Sequence, residues 1–305
     1  MVQETRQIKL MGTTIDLMVE APNSTELLAK AEKLLHTYNQ RFSANDDSSE
    51  LSLVNSKAGI EPVPVHPELF ELIAIGKEHS CAEHSNLNIA IGPLVQSWRI
   101  GFSDAKLPSK DEISEKLSLT KPEQINLDSE KSTVFLTQKG MKIDLGALAK
   151  GYIADKIMTF FITSGVSSAL INLGGNLLVH GPNPNRGNGL WYVGIQNPDK
   201  PRGHHLTVLP IQNASVVTSG VYERFLAIGD KTYHHIFDPK IGYPIETDMA
   251  SISIIAKSSL DCEIWTSRLF GLPTASALQI INQTPEIEGL IITKDLKMLR
   301  SKRIL

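Results

Sequence analysis

The segment formed by residues 143–155, IDLGALAKGYIAD, constrains the fold of this chain more than any other. Its first residues are typical of a β-strand that ends on an acid, and the residues after Gly146 are good helix formers. A strand that turns directly into a helix places Asp144, the turn carbonyls and Lys150 around one helix N-terminus, where backbone N–H groups favour anions. The pattern suits a phosphorylated ligand and its metal. An ordinary strand-to-helix connection with a solvated lysine would give the same residues.

Four later segments add polar groups in a fixed order. Residues 171–176, INLGGN, form an apolar run interrupted by two glycines, which let the backbone approach a ligand or turn with positive φ. Residues 219–224, SGVYER, and 233–244, YHHIFDPKIGYP, follow, and the second combines two imidazoles with an acid and a tight Pro/Gly turn. Residues 256–270 contain a helical pattern that places oxygen-bearing side chains at positions 263, 266 and 267 on one face.

These segments, in this order, resemble those of the ApbE family of FAD:protein FMN transferases. Three further matches extend the resemblance over nearly the whole chain: Met-Gly-Thr at 11–13, the loop from Arg41-Phe-Ser to Ser49-Glu-Leu-Ser with Asn55, and Gly-Pro-Leu-Val at 92–95 with Trp98. Several ordered matches are more specific than any single motif. The resemblance implies an α+β fold with helices packed on a largely antiparallel sheet, organised as a single domain over residues 1–305.

The activity that the resemblance implies is cleavage of FAD with transfer of FMN to a Ser or Thr hydroxyl of an acceptor flavoprotein, releasing AMP. The acceptor would carry a segment of the type Asp-x-Ser/Thr-Gly/Ser-Ala-Thr. Attack of an alcohol on a phosphoryl group builds charge on oxygen, which Mg²⁺ held by oxygen ligands can neutralise while a base takes the hydroxyl proton. The expected partners are therefore FAD, Mg²⁺ and an acceptor protein.

The resemblance also assigns residues to these roles. His235 corresponds to the base, and the metal ligands are the Ala147 carbonyl, Glu263 and Ser267, with Thr266 close by. The positions that the resemblance assigns to FAD are Met11, Asn45, Asn86, Leu87, Asn88, Asp144, Lys150, Gly174, Gly175 and Ile236.

Each assignment has an alternative that needs no ligand. Asp144 could cap a helix. Glu263 could be a first-turn acid that complements the helix dipole, with plain surface hydroxyls one turn on. His235 could be a packed turn histidine, and His234 is equally near. Arg224 is expected to pair with the adjacent Glu223.

Departures from the family pattern leave a second function open. The family usually carries Asp at position 263 and Thr at position 267, an aromatic residue where this chain has Asn45, and Ala-Phe-Asp where it has the sequence NLN at 86–88. A ring lost from a flavin contact removes about 0.5 to 1.5 kcal/mol of stacking. The alternatives are a homologue that binds or slowly hydrolyses FAD without protein transfer, and a nucleotide-binding module without catalysis. Retention of the other polar positions favours the transferase.

The composition excludes other classes. A net charge of -3 and a pI near 6.3 leave no basic surplus for a nucleic-acid partner. The first residues contain an acid and no apolar core of a signal peptide, and no run is long enough to span a membrane, so a cytoplasmic location is expected. Cys81 and Cys262 are expected to be buried or partly buried free thiols.

The hydrophobic pattern predicts runs of strands beside separate helices, which indicates an α+β class. The predicted helices cover residues 24–38 with Ser24 as cap, 66–79, 108–117 and 147–164. The predicted strands cover residues 8–20, 125–127, 133–137, 141–145, 169–179, 191–196, 206–211, 215–219, 225–228 and 251–256.

Overall fold

A computed structural model describes residues 1–304, and its centre is an eight-stranded antiparallel sheet. The spatial order of that sheet is β1-β2-β6-β7-β10-β13-β14-β15, and β3-β5-β4, β8-β9 and β11-β12 form smaller sheets. The strands are β1 Val2–Leu10, β2 Thr13–Ala21, β3 Val63–Pro64, β4 Ile125–Asp128, β5 Thr133–Leu136, β6 Ser168–Leu173, β7 Asn176–His180, β8 Trp191–Gln196, β9 His205–Ile211, β10 Ser215–Gly220, β11 Phe225–Ile228, β12 Lys231–His234, β13 Met249–Ala256, β14 Ile287–Thr293 and β15 Met298–Arg300.

Helices cover one face of the large sheet, and the β8-β9 hairpin covers the other. Alternating residues of β2 make this division visible, because Leu17 and Val19 join the helix-side core while Met18 packs with the hairpin. The helices are α1 Ser24–Phe42, α2 Glu50–Ser56, α3 Pro67–Ser80, α4 Gly92–Trp98, α5 Lys110–Leu117, α6 Ala149–Thr163, α7 Ser259–Leu269 and α8 Thr274–Gln283. The α+β prediction, with helices on a largely antiparallel sheet, is confirmed.

Two tight turns lie side by side at one end of the sheet. Met11 and Gly12 join β1 to β2 with φ of 54° and 67°, and Gly174 and Gly175 join β6 to β7 with φ of 66° and 103°. Two positive φ angles match the right-handed twist of a hairpin, so residues 8–20 and 169–179 are each interrupted by a turn and the predicted single strands are wrong there. A Cβ on Gly174 would lie 2.2 Å from Thr13 Oγ1, so the turns are in contact.

The predicted strand over residues 141–145 is also wrong. Ile143 is paired by a side chain instead of a neighbouring strand: Asn55 Nδ2 donates to its carbonyl at 2.9 Å, and its N–H donates to Asn55 Oδ1 at 2.7 Å. The Asp144 N–H donates to the Ile89 carbonyl at 2.9 Å. These bonds satisfy an extended segment without a ladder and fix the position of Asp144.

Two smaller expectations need correction. Asn23, not Ser24, is the N-terminal cap residue of α1. Cys262 is buried as predicted, whereas Cys81 is exposed, and both are free thiols. Within residues 1–304, no helix has the combination of length and apolar character that a membrane crossing requires.

Candidate active site

Helices α6 and α7 meet at Gly151, and this contact builds the candidate site. A Cβ on Gly151 would lie 2.6 Å from the Ser259 carbonyl oxygen and 2.8 Å from Glu263 Cγ, so only glycine lets α7 come this close. Lys150 is the adjacent residue, and Ala147 lies in the turn that leads into α6. The close approach therefore brings Glu263 to the start of α6, where the sequence predicts phosphate and metal contacts.

Asp155 on α6 holds the N-terminus of α7 in place. Its carboxylate accepts hydrogen bonds from Ser258 Oγ at 2.8 Å, from the Ser259 N–H at 2.8 Å and from the Leu260 N–H at 2.9 Å. Burial raises the pKa of Asp155, although these hydrogen bonds oppose the change. A carboxylate that contacts the first turn of a helix accepts hydrogen bonds from the N–H groups that have no partner within that helix. The sequence alone indicates no role for Asp155, because its partners lie more than 100 positions away in the chain.

Glu263 is buried, with 5% of its surface exposed, in the second turn of α7. The alternative of a first-turn dipole acid is therefore wrong. Asn176, the residue that follows the Gly174-Gly175 turn, donates from Nδ2 to Glu263 Oε1 at 3.0 Å, and its own Oδ1 accepts from Ser259 Oγ. Burial raises the pKa of Glu263, and the positive charge of Lys150 partly offsets this.

The oxygen atoms at and near Glu263 are of the kinds that bind a hard divalent cation. Within residues 1–304 this buried carboxylate forms no ion pair, and Asn176 and the charge of Lys150 compensate its burial only in part. A buried charge without a full partner is costly. The Ser267 hydroxyl is partly exposed and has no hydrogen-bond partner among the described residues, whereas Thr266 Oγ1 donates to the Glu263 carbonyl at 3.1 Å. Carboxylate, hydroxyl and carbonyl oxygens are the ligands that Mg²⁺ prefers. Residues 1–304 contain no cluster of three His, Cys, Asp or Glu side chains, and the predicted ligand set does not require one.

The two neighbouring histidines differ in their contacts. His234 uses both ring nitrogens: Nδ1 accepts from the Ile236 N–H at 3.2 Å, and Nε2 donates to the Ile245 carbonyl at 2.9 Å. His235 Nδ1 donates to the Arg224 carbonyl at 3.2 Å, which leaves Nε2 as the basic nitrogen. His234 is therefore a structural histidine, and His235 has the free nitrogen that a base needs.

Lys150 connects the predicted base to the predicted metal ligand. Its charge acts on Glu263, as above, and it also lowers the pKa of His235. The main cause of the His235 shift is burial, with added repulsion from Arg224, His234 and Lys150, and the pKa falls to about 4. His235 is therefore neutral near pH 7. Asp144 accepts from the Gly146 N–H at 2.8 Å, and burial raises its pKa.

We expect a pH-dependent stability difference between the wild type and His235→Gln. The folded pKa of His235 lies below its ordinary value of 6.5, so its contribution is present above pH 6.5 and is lost as pH falls through about 4. After allowance for the partial exposure of the ring, the loss is on the order of 2 kcal/mol. Urea unfolding between pH 7 and pH 4 measures this loss. If the free energy of unfolding changed with pH equally in the two proteins, His235 would not have the buried environment described.

Gly151→Ala should destabilise the protein by about 1 to 3 kcal/mol through overpacking. The added methyl would meet the Ser259 carbonyl, which belongs to the backbone and cannot rotate away. In an open helix the same change would stabilise by up to about 1 kcal/mol. A thermal melt gives the sign, and an increase in Tm would show that α6 and α7 are not in the contact described.

The remaining predicted flavin positions lie in structural contacts. Asn86 Nδ2 donates to the Phe270 carbonyl, Leu87 is 3% exposed, and Asn88 Nδ2 donates to the Thr120 carbonyl. The exposed Asn45 accepts from Gln96. Met11 forms the turn beside Gly174, and the Ile236 carbonyl accepts from the Ile245 N–H. Their contact with FAD stays a prediction.

Two pockets lie near parts of this arrangement. One of about 540 Å³ is lined by Leu87 and Asn88 together with Pro239 and Lys240, which belong to the segment 233–244 that contains both histidines. A second of about 940 Å³ lies between α1 and α2 around Arg41. Glu263 and His235 line neither of these two pockets. The candidate site is therefore located by the contacts of these two side chains and not by a cavity.

The fold and site define an α+β protein with a buried acid, a lysine and a neutral imidazole beside paired hairpin turns. A sequence model described as the ApbE family matches residues 11–291. The chain belongs to the ApbE family.

Named relatives and solved structures agree with that membership. An FAD:protein FMN transferase of Klebsiella pneumoniae (strain 342) is 37% identical over 96% of this chain and 90% of its own length. One of Treponema pallidum (strain Nichols) is 34% identical over 89% and 78%. The ApbE protein of Thermotoga maritima superposes with a TM-score of 0.90 at 23% identity, covering 99% of this chain and 97% of that one. The flavin transferase ApbE of Vibrio cholerae gives 0.85 at 23% identity, with the same coverage.

Proposed function

We propose that this chain is an enzyme, an FAD:protein FMN transferase that depends on Mg²⁺. It takes FAD and an acceptor flavoprotein as substrates, transfers FMN to a Ser or Thr hydroxyl of the acceptor and releases AMP. The observation that best supports the proposal is the buried Glu263 carboxylate, which accepts from Asn176 Nδ2 at 3.0 Å, has no ion pair within residues 1–304 and lies against Gly151 of α6, next to Lys150. Oxygen ligands for a hard metal and a cation near the diphosphate are groups that stabilise charge during phosphoryl transfer.

In the proposed reaction, the acceptor hydroxyl oxygen forms a bond to the phosphorus of the FMN half. The bond from that phosphorus to the bridging oxygen breaks, and AMP leaves with the bonding electrons. Nε2 of His235 takes the hydroxyl proton, because Nδ1 already donates to the Arg224 carbonyl. Lys150 and the N-terminus of α6 attract the phosphate oxygens. Mg²⁺, held by Glu263, Ser267 and the Ala147 carbonyl, would neutralise charge on the diphosphate when bound.

Intact-mass measurement tests the proposal. The protein is incubated with FAD, Mg²⁺ and an acceptor that carries an Asp-x-Ser/Thr-Gly/Ser-Ala-Thr segment, and the same acceptor with Ala at the hydroxyl position is the control. A gain equal to FMN on the first acceptor only supports transfer. Production of FMN and AMP with no gain on either acceptor would favour the hydrolytic homologue instead.

A further inference from the structure

The exposed side chain of Arg224 lies beside two glycines, Gly101 and Gly12, and has no acidic partner within residues 1–304. A Cβ on Gly101 would lie 2.9 Å from Arg224 Cδ, and a Cβ on Gly12 would lie 3.9 Å from its Nη2. Among residues 1–304 the guanidinium has no ion pair and no hydrogen bond, so the expected pairing with Glu223 is wrong. An arginine that reaches across a turn and remains unpaired is available to a ligand.

The backbone of Arg224 fixes its place relative to His235. The Arg224 carbonyl accepts from the His235 N–H and from Nδ1, each at 3.2 Å. The guanidinium charge also acts on the His235 ring, as that of Lys150 does. Arg224 and Lys150 come from two distant segments of the chain, and the positive charges of both act on the imidazole of His235.

A guanidinium fork matches a phosphate group, because two parallel N–H donors meet two oxygens. Gly12 belongs to the Met11-Gly12 turn, which touches the Gly174-Gly175 turn and, through Asn176, the Glu263 site. We propose that Arg224 binds the diphosphate of the flavin substrate and holds the attacked phosphorus beside His235. This inference rests on the proposed function, and it assigns the diphosphate a contact outside the α6 N-terminus.

A comparison of FAD binding with riboflavin binding distinguishes a phosphate contact of Arg224 from a purely structural role. Dissociation constants of FAD and of riboflavin, which lacks phosphate, are measured by flavin fluorescence for the wild type, Arg224→Gln and Arg224→Lys. Loss of a charge-assisted bond should weaken FAD binding by about 10- to 100-fold in Arg224→Gln. Riboflavin binding should be unchanged, and Arg224→Lys should fall between. The control is Arg186→Gln, which removes an exposed arginine that stacks on Tyr192 and should leave FAD binding unchanged.

A second variant moves the guanidinium without removing its charge. Gly101→Ala would push the Arg224 side chain aside, and Gly165→Ala is the matched control because it has the same left-handed backbone but open space at its Cβ. Gly101→Ala should weaken FAD binding at least about 5-fold more than Gly165→Ala does. Equal affinities in these two proteins, or equal weakening of FAD and riboflavin in Arg224→Gln, would overturn the inference. A change only in the KM of the acceptor would also overturn it.

Failure of the inference and failure of the proposed function give different results. If the wild type transfers FMN and Arg224→Gln binds FAD with wild-type affinity, the phosphate contact is wrong and the transferase stands. If FAD binding depends on Arg224 but the wild type never modifies an acceptor, the contact stands and the proposed function is wrong.

Discussion

Glu263→Gln should lower the rate of FMN transfer by at least about 100-fold, because the proposed Mg²⁺ site would lose an anionic ligand worth several kcal/mol of charge stabilisation. Gln retains an oxygen that can accept from Asn176 Nδ2, so the contact at 3.0 Å and the fold should persist. Single-turnover transfer over a Mg²⁺ titration measures the effect. Asp261→Asn, which removes a partly exposed acid from the same helix, is the matched control and should keep its Mg²⁺ response.

The stability of Glu263→Gln gives an independent signature. Burial raises the folded pKa of Glu263, so its favourable contribution is present below the ordinary carboxyl pKa and is lost as pH rises through the folded value. Near pH 7, without Mg²⁺, the variant should therefore melt higher than the wild type. Added Mg²⁺ should raise the Tm of the wild type alone, since only that protein gains a ligand. An equal Mg²⁺ response in both proteins would remove Glu263 from the metal site.

The sequence predicted elements well where hydrophobic pattern and turn residues agree. The strands Trp191–Gln196 and Phe225–Ile228 match the prediction at both ends, and Ser109 caps α5 by accepting from the Glu112 N–H. Two-residue turns divide two strands that were predicted to be continuous. Met11-Gly12 interrupts an apolar run without a polar loop, whereas a positive-φ turn at Gly174-Gly175 was one of the expectations for that segment. Met is also an unusual residue at positive φ, so nothing local identified the first turn.

Elements without a clear period were missed. The strand Lys231–His234 is polar and mostly exposed, so it has no alternation to detect. The strand Ile287–Thr293 is buried on both faces and reads as a continuous apolar run, which resembles a buried helix segment. The helix Thr274–Gln283, which lies between these two strands in the chain, was also not predicted.

The sequence proposed residues for the candidate site but could not propose the residues that hold them in place. Sequence and resemblance gave Glu263, Lys150 and His235, and in the fold the charge of Lys150 acts on each of the other two. The partner of Glu263 is Asn176, which lies 87 positions away in the chain. Local reasoning cannot find such a pair, because propensity and periodicity describe only neighbours within a few residues.

His235→Gln should lower the rate of FMN transfer by about 100- to 10,000-fold, the usual contribution of general base catalysis. A pKa of about 4 keeps the wild-type imidazole neutral from pH 5 upward, and the Arg224 carbonyl fixes Nδ1 as a donor. Nε2 can then take the acceptor proton throughout this range. FAD affinity should change little, since the ring acts on the hydroxyl and not on the dinucleotide. Flavin fluorescence beside single-turnover transfer measures the two quantities separately.

His234→Gln is the control that distinguishes a base from a packed ring. Both nitrogens of His234 are used by the backbone at Ile236 and Ile245, so its replacement should lower the Tm, while the rate at a temperature where the fold is intact should change less than in His235→Gln. If transfer by His235→Gln stays within a few-fold of the wild type, the base lies elsewhere. Asp144 would then be the next candidate, because burial raises its pKa and its carboxylate faces the turn that leads into α6.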